Sequence, residues 1–116
     1  MKIYKGTANN GDWYVTVDGQ SLPERLDLAN HSPDGFAWGY GGSGPAQLAL
    51  AILADLKGDM FALRVYQDFK TRVIARLDRD KDWEMSSTDV DEYLDEMPVR
   101  ARSGHMAWGA GDVDFS

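Results

Sequence analysis

The N-terminal part of the chain carries the alternating pattern of a β-hairpin. Residues 2–5 and 13–17 are rich in aromatic and β-branched side chains, and they flank an Asn-Gly pair at 10–11. Asn-Gly tolerates the positive φ angles that a tight hairpin turn requires. In the second segment Trp13 and Val15 share one face, because successive side chains of a strand point to opposite sides. The pattern therefore predicts a hairpin with one apolar face.

Two further short segments have the composition of strands. Residues 26–28 read Leu-Asp-Leu, although Pro23 limits where such a strand begins. Residues 36–40 are apolar and follow a Ser-Pro-Asp-Gly sequence, which is typical of a type I turn. We expect one or both of these segments to extend the hairpin into a small antiparallel sheet.

Three helical patterns follow the glycine-rich residues 39–44. Residues 46–57 are apolar almost all round, which is typical of a buried central helix, and Pro45 suits the first helical position. Residues 60–77 carry an apolar stripe at helical spacing, with charged residues on the opposite face. Residues 86–89 form a capping box for a third helix, which Pro98 closes. The inner positions of that helix are Val90, Tyr93, Leu94 and Met97.

These patterns predict a single α+β domain over residues 1–98. A small antiparallel sheet, made of the hairpin plus one or two short strands, is covered on one face by three helices, with helix 45–57 central. The 116 residues are 43% hydrophobic and 27% charged, which is ordinary for one globular domain. Residues 99–116 are rich in glycine and alanine and lack a helical period, so we expect a tail. No segment reads as a signal peptide or a membrane span, and we expect a cytoplasmic protein.

Charge is concentrated in one segment of the chain. The protein has 12 Lys and Arg against 19 Asp and Glu, a net charge of −7. Residues 78–96 hold nine acids and two bases, so this segment alone accounts for the whole net charge. Such a field repels nucleic-acid phosphates and attracts basic protein surfaces. The nine acids are Asp78, Asp80, Asp82, Glu84, Asp89, Asp91, Glu92, Asp95 and Glu96.

Residues 39–44 match the G-x-G-x-x-G pattern and precede a helix, which allows two interpretations. One is a phosphate or nucleotide cradle formed by backbone N–H groups at a helix N-terminus. The other, which we favour, is a glycine turn that lets the chain pack tightly, since a second helix follows instead of a parallel strand. The contacts of a ligand site here would come from Trp38, Tyr40, Gly41, Gly42, Ser43, Gly44 and Gln47.

No residue set indicates a metal, a cofactor or catalysis. Residues 78–89 are similar to an EF-hand loop, but the sixth position holds Trp83 where glycine is needed, and the twelfth holds Asp89 instead of glutamate. His31 and His105 have no second ligand or base at a helical or strand spacing, and Ser43 does not lie in a nucleophile-elbow sequence. The absence of cysteine excludes disulfides, thiolate metal sites and cysteine nucleophiles. We therefore expect no catalytic residues, no metal and no cofactor.

Two stretches resemble a known family. Residues 31–50, which read HSPDGFAWGYGGSGPAQLAL, and residues 66–70, which read YQDFK, are similar to a small family of domains of unknown function. That family is met in bacteriophage, prophage, plasmid and other prokaryotic genomes. The resemblance covers roughly residues 1–97 and implies no activity, but a mobile-element origin favours an anti-defence protein.

Charge and resemblance together support one leading hypothesis of function. We expect a non-enzymatic acidic binding protein that inhibits a host-defence complex, of the CRISPR type or a nuclease, by occupying its basic nucleic-acid-binding surface. The alternative is a small-ligand binding protein or enzyme built on residues 39–44. The leading hypothesis requires a protein partner with a basic surface, and neither nucleic acid nor a membrane as partner. Its contact residues are Asp78, Asp80, Asp82, Trp83, Asp89, Asp91, Glu92, Asp95 and Glu96.

Overall fold

The computed structural model describes residues 1–9, 12–33 and 35–97. The predicted tail over residues 99–116 and the second histidine, His105, lie outside the described residues. The strands are β1 (Ile3–Asn9), β2 (Asp12–Val17), β3 (Gln20–Ser21) and β4 (Trp83–Ser86). The helices are α1 (Ser43–Lys57), α2 (Asp59–Arg72) and α3 (Ser87–Glu96), with a 3-10 turn at Ile74–Arg76 after α2.

The four strands form one antiparallel sheet in the order β3-β2-β1-β4. Tyr4 and Gly6 of β1 stand opposite Val17 and Val15 of β2. Tyr4, Gly6 and Val15 are buried on the face that meets the helices, while the alternate residues Lys5 and Thr7 are exposed. The alternation therefore places one apolar face on the core and one polar face outside. The predicted α+β class with a hairpin and three helices is confirmed.

The extra strands differ from those that the sequence predicts. Residues 26–28 form a turn and residues 36–40 contain no strand, because Gly39 has a φ of +86°, which interrupts an extended backbone. Instead, Trp83–Ser86 pairs with β1 as β4. A Cβ on Gly6 would lie 2.1 Å from Trp83 Nε1, so the missing side chain of Gly6 provides the room in which the indole lies. This pairing joins segments some 80 residues apart in the chain. The local sequence of the four-residue strand β4 therefore did not indicate it.

Helix α1 is the central helix, as predicted, since eleven of its fifteen residues are buried. Helix α2 ends at Arg72, five residues before the predicted end, and the chain tightens into a 3-10 turn. Val73 and Ile74, at the start of this turn, are both buried in the core. Among the described residues no helix is both long and apolar enough to cross a membrane.

Helix α3 begins with the predicted capping box. The Ser86 side chain accepts a hydrogen bond from Asp89 N at 3.0 Å, and Asp89 Oδ2 accepts one from Ser86 N at 2.9 Å. Val90, Leu94 and Met97 are buried as expected. Tyr93 was predicted at an inner position, but its side chain is 38% exposed, because it lies at the boundary between the buried and the outer face of this short helix.

Candidate functional site

Seven of the nine acids of residues 78–96 fall into two groups, one near each end of helix α1. Near its N-terminus, the backbone of Arg79 packs against Gly39, whereas at its C-terminus Lys57 forms an ion pair with Asp91. A helix of fifteen residues is about 22 Å long at ~1.5 Å per residue. This exceeds the Debye length of about 8 Å at physiological ionic strength, so the two groups do not act as one patch. We call Asp78, Asp80 and Asp82 the loop group, and Asp91, Glu92, Asp95 and Glu96 the helix group.

The loop group holds the chain to the end of the sheet. Asp82 Oδ1 accepts a hydrogen bond from the backbone N–H of Ala8 at 2.8 Å. Asp78 Oδ1 accepts one from Asp80 N at 3.1 Å, and the Lys81 ammonium lies 3.8 Å from the other Asp78 oxygen. Two of the three carboxylates are thus engaged in the fold, and only Asp80 presents a side chain without a hydrogen bond or ion pair among the described residues.

The acids of residues 78–89 are not gathered around one point. Strand β4 runs through the middle of this segment, with Met85 buried in the core, and Asp89 is engaged in the capping box of α3. Trp83 was predicted as a contact for a partner, but its indole packs over Gly6 and lies edge-on to Trp38 at 5.6 Å between ring centroids. Within residues 1–9, 12–33 and 35–97, no three His, Asp or Glu side chains cluster so as to hold a metal ion.

The helix group lies on the exposed side of α3. Glu92 and Glu96 form no hydrogen bond or ion pair with any described residue, whereas Asp91 pairs with Lys57. Positions four apart are neighbours on a helix surface, so Asp91 lies beside Asp95, and Glu92 beside Glu96. The last turn of α3 contains no basic residue. Neighbouring carboxylates therefore repel each other, and Asp95 and Glu96 in the last turn also face the negative end of the helix dipole.

An open groove runs between α3 and the turn that joins α1 to α2. It has a volume of about 400 Å³, which is near the lower end of the ~300–1,000 Å³ typical of ligand pockets. Leu94 is buried, Phe61 is half-buried, and the exposed Asp91 and Asp95 add carboxylates. Lys57 is the one cation among the lining residues that the structure describes. Apolar and acidic groups thus meet at this end of α1.

The glycines at the N-terminus of α1 allow close packing. A Cβ on Gly39 would lie 2.5 Å from Arg79 Cα, and one on Gly44 would lie 2.6 Å from Ala37 Cβ. A Cβ on Gly42 would lie 2.3 Å from the ring of Tyr40, over which the Arg79 guanidinium sits at 4.8 Å. Three of the four glycines of residues 39–44 are therefore explained by their neighbours, as the packing interpretation of this segment expects.

Two residues predicted as ligand contacts of this segment are instead buried and fully bonded. Gln47 accepts hydrogen bonds from His31 N and Ser32 N at 2.8 and 3.2 Å, and donates to Glu24 O and Ala29 O at 2.7 and 3.0 Å. Its side chain therefore fastens residues 24–32 to helix α1. Trp38 has no exposed surface. Its Nε1 donates to the Lys81 carbonyl at 3.1 Å, and its ring stacks on Trp13. Of the predicted loop contacts, Tyr40, Gly41 and Ser43 remain exposed.

Three polar contacts join distant parts of the chain in ways the sequence did not indicate. His31 Nε2 lies 2.6 Å from the Tyr66 hydroxyl, so the histidine that lacked a partner in the sequence has one 35 residues away. Burial and a hydrogen bond to Asp55 raise the pKa of Tyr4 above its ordinary value. The Arg25 guanidinium holds the pKa of Asp27 below its usual range, and also binds Asp59 through two hydrogen bonds.

Comparison with known proteins finds a matching family whose description names no activity. A family model described as "Family of unknown function (DUF6166)" matches residues 4–96, from the first residues of β1 to the last residue of α3. No curated protein and no solved structure matches the chain. The arguments for function therefore rest on the geometry of the described residues.

Proposed function

We propose that this chain, which belongs to the family of unknown function DUF6166, is a non-enzymatic binding protein that acts in the cytoplasm. Its helix α3 docks onto a basic surface of another protein. The observation that carries this proposal is the charge pattern of the helix group. Four carboxylates occupy two like-charge i,i+4 pairs, and no base lies in the last turn.

The stability of α3 does not account for Glu92 and Glu96. A like-charge pair four residues apart destabilises a helix by about 0.2–0.5 kcal/mol. A negative charge in the last turn opposes the helix dipole by about 0.3–1 kcal/mol. At Glu92 and Glu96, no hydrogen bond or ion pair with a described residue offsets these costs. When a basic surface approaches α3, its cations attract these carboxylates, which offsets the repulsion among them and accelerates association.

We place the partner among defence complexes that handle nucleic acids, either CRISPR effectors or nucleases. These complexes hold phosphates with Lys and Arg side chains, and such side chains also attract the carboxylates of α3. Occupation of that surface by α3 excludes the nucleic acid and inhibits the complex. The support for this partner class is the sign and placement of the charge, together with the mobile-element setting expected from the sequence.

The test adds the purified protein to a panel of CRISPR effectors and defence nucleases and follows cleavage of a labelled target. A double variant, Glu92→Lys with Glu96→Lys, changes the net charge of the helix group from −4 to 0 while leaving the Lys57–Asp91 ion pair intact. The control, Asp12→Lys with Glu84→Lys, makes the same change of net charge on exposed residues of the sheet. We expect inhibition by the wild type and the control, and weak inhibition by the α3 variant.

Salt provides a second criterion. Because the attraction acts between exposed charges, inhibition should weaken steeply between low and physiological ionic strength. Equal inhibition by the wild type and the α3 variant contradicts the charge mechanism. Absence of inhibition across the whole panel contradicts the proposed partner class.

A further inference from the structure

The groove beside α3 combines an aromatic ring, an aliphatic side chain and two carboxylates. Phe61 comes from the first turn of α2, while Asp91, Leu94 and Asp95 come from α3. Leu94 is 5% exposed, and the side chain of Asp91 is 51% exposed. The half-buried Phe61 therefore provides the accessible apolar surface of the groove, and Asp91 provides negative charge at its edge.

We infer that this groove takes one arginine side chain from the partner's basic surface, an inference that rests on the proposed function. The methylene stem of arginine packs on apolar surface while its charged head remains with polar groups. The planar guanidinium stacks on an aromatic face and matches the geometry of a carboxylate. Phe61 supplies the ring, and Asp91, whose side chain is half exposed, supplies the carboxylate. The apolar and acidic lining of the groove thus favours an occupant with a cationic head and an apolar stem.

The ion pair already present supports this assignment. The Lys57 ammonium is bound to Asp91 Oδ1 at the edge of the groove, so the position of that carboxylate suits a cation. An incoming guanidinium competes with Lys57 for Asp91. Arginine has the advantage over another lysine because it forms two parallel hydrogen bonds with one carboxylate and stacks on Phe61.

The test compares two peptides of equal charge, hexa-arginine and hexa-lysine, as probes of the full chain in a titration followed by calorimetry. We expect the wild type to bind hexa-arginine with a Kd about two- to fivefold lower than hexa-lysine, the range of an exposed cation–π contact. Phe61→Leu keeps an apolar side chain but removes the ring, so it should narrow the difference between the peptides to the part that the two hydrogen bonds to the carboxylate provide. Thermal unfolding of this variant checks that the fold is intact.

Substitution of Lys57 should strengthen the binding of hexa-arginine, whereas substitution of a merely structural residue should not. Lys57→Met releases Asp91 and should tighten the binding of hexa-arginine. The control Lys5→Met makes the same charge change at the exposed Lys5–Glu84 pair of the sheet, whose atoms lie 3.8 Å apart. We expect the Kd of the control to stay close to that of the wild type.

The outcomes separate this inference from the proposed function. Equal affinities for the two peptides, or a preference that Phe61→Leu leaves unchanged, overturn the arginine groove. If the reversal of Glu92 and Glu96 still weakens both peptides, the acidic docking helix stands without the groove. If neither peptide binds the wild type, both the docking helix and the groove are overturned.

Discussion

The two ends of helix α1 differ in how far their polar and special residues are engaged by the fold. At the N-terminal end, a Cβ added to Gly39 or Gly44 would overlap neighbouring atoms. The amide oxygen and nitrogen of Gln47 are both hydrogen-bonded. At the C-terminal end, Glu92 and Glu96 of α3 contact no described partner. The glycine pattern thus marks tight packing, whereas Glu92 and Glu96 have side chains that remain available for the proposed docking.

The largest effect is expected at the N-terminal end, from Gln47→Leu. The change leaves two backbone N–H groups and two carbonyls of residues 24–32 without their partner. Each unpaired buried group costs about 1–3 kcal/mol, so we expect a loss of about 4 kcal/mol in the free energy of unfolding. Urea denaturation measures the loss, and hydrogen exchange should quicken at His31 and Ser32. Gln67→Leu on the exposed side of α2 is the control, with a change of about 0.5 kcal/mol or less.

The glycine segment gives the next largest contrast, between Gly39→Ala and Gly41→Ala. Gly39 has a φ of +86° and its added Cβ would lie 2.5 Å from Arg79 Cα. Left-handed backbone costs about 1–2 kcal/mol and overpacking a further ~1–3 kcal/mol, so we expect a loss of about 3 kcal/mol. An added Cβ on Gly41 has no atom within 4 Å, so its change should stay within about 0.5 kcal/mol. Equal losses at both positions would show that the segment is not held by packing.

A smaller contrast lies within α3 itself. Asp89→Ala removes one half of the capping box and should lower the free energy of unfolding by about 1 kcal/mol. Glu92→Ala, three residues later, removes an exposed acid without a described partner and should change it by about 0.5 kcal/mol or less. Denaturant midpoints of the two variants measure the difference. A loss of about 1 kcal/mol in Glu92→Ala contradicts the distinction between acids that cap α3 and acids that face outward.

These contrasts explain which features could be predicted from the sequence. The hairpin, the buried helix α1 and the capping box at Ser86 follow from local rules of spacing and composition, and they were predicted. The pairing of β4 with β1, the four bonds of Gln47 and the groove at Phe61 depend on residues far apart in the chain. Phe61 gave no signal of its own, since it stands beside the inner position Ala62 and resembles any half-buried helical residue.

The division of the acidic segment also depended on the fold. In the sequence, Asp78 and Glu96 belong to one run of charge. Strand β4 and the length of α1 place them at different ends of the molecule, because β4 must reach the edge of β1 before α3 begins. The count of charges along the sequence therefore predicted an acidic surface, but it did not predict that the acids form two separate groups.

The smallest expected effect on stability has the opposite sign, and it comes from Glu96→Lys. Glu96 is the last residue of α3, where a negative charge faces the negative end of the dipole and lies one turn from Glu92. Lysine reverses both terms, so the free energy of unfolding should rise by about 0.5 kcal/mol, while association with a basic probe such as hexa-arginine should slow. Glu96→Gln should give about half of each change. If Glu96→Lys lowers the stability instead, the acid supports the helix, and the argument that α3 holds its charge for a partner loses its basis.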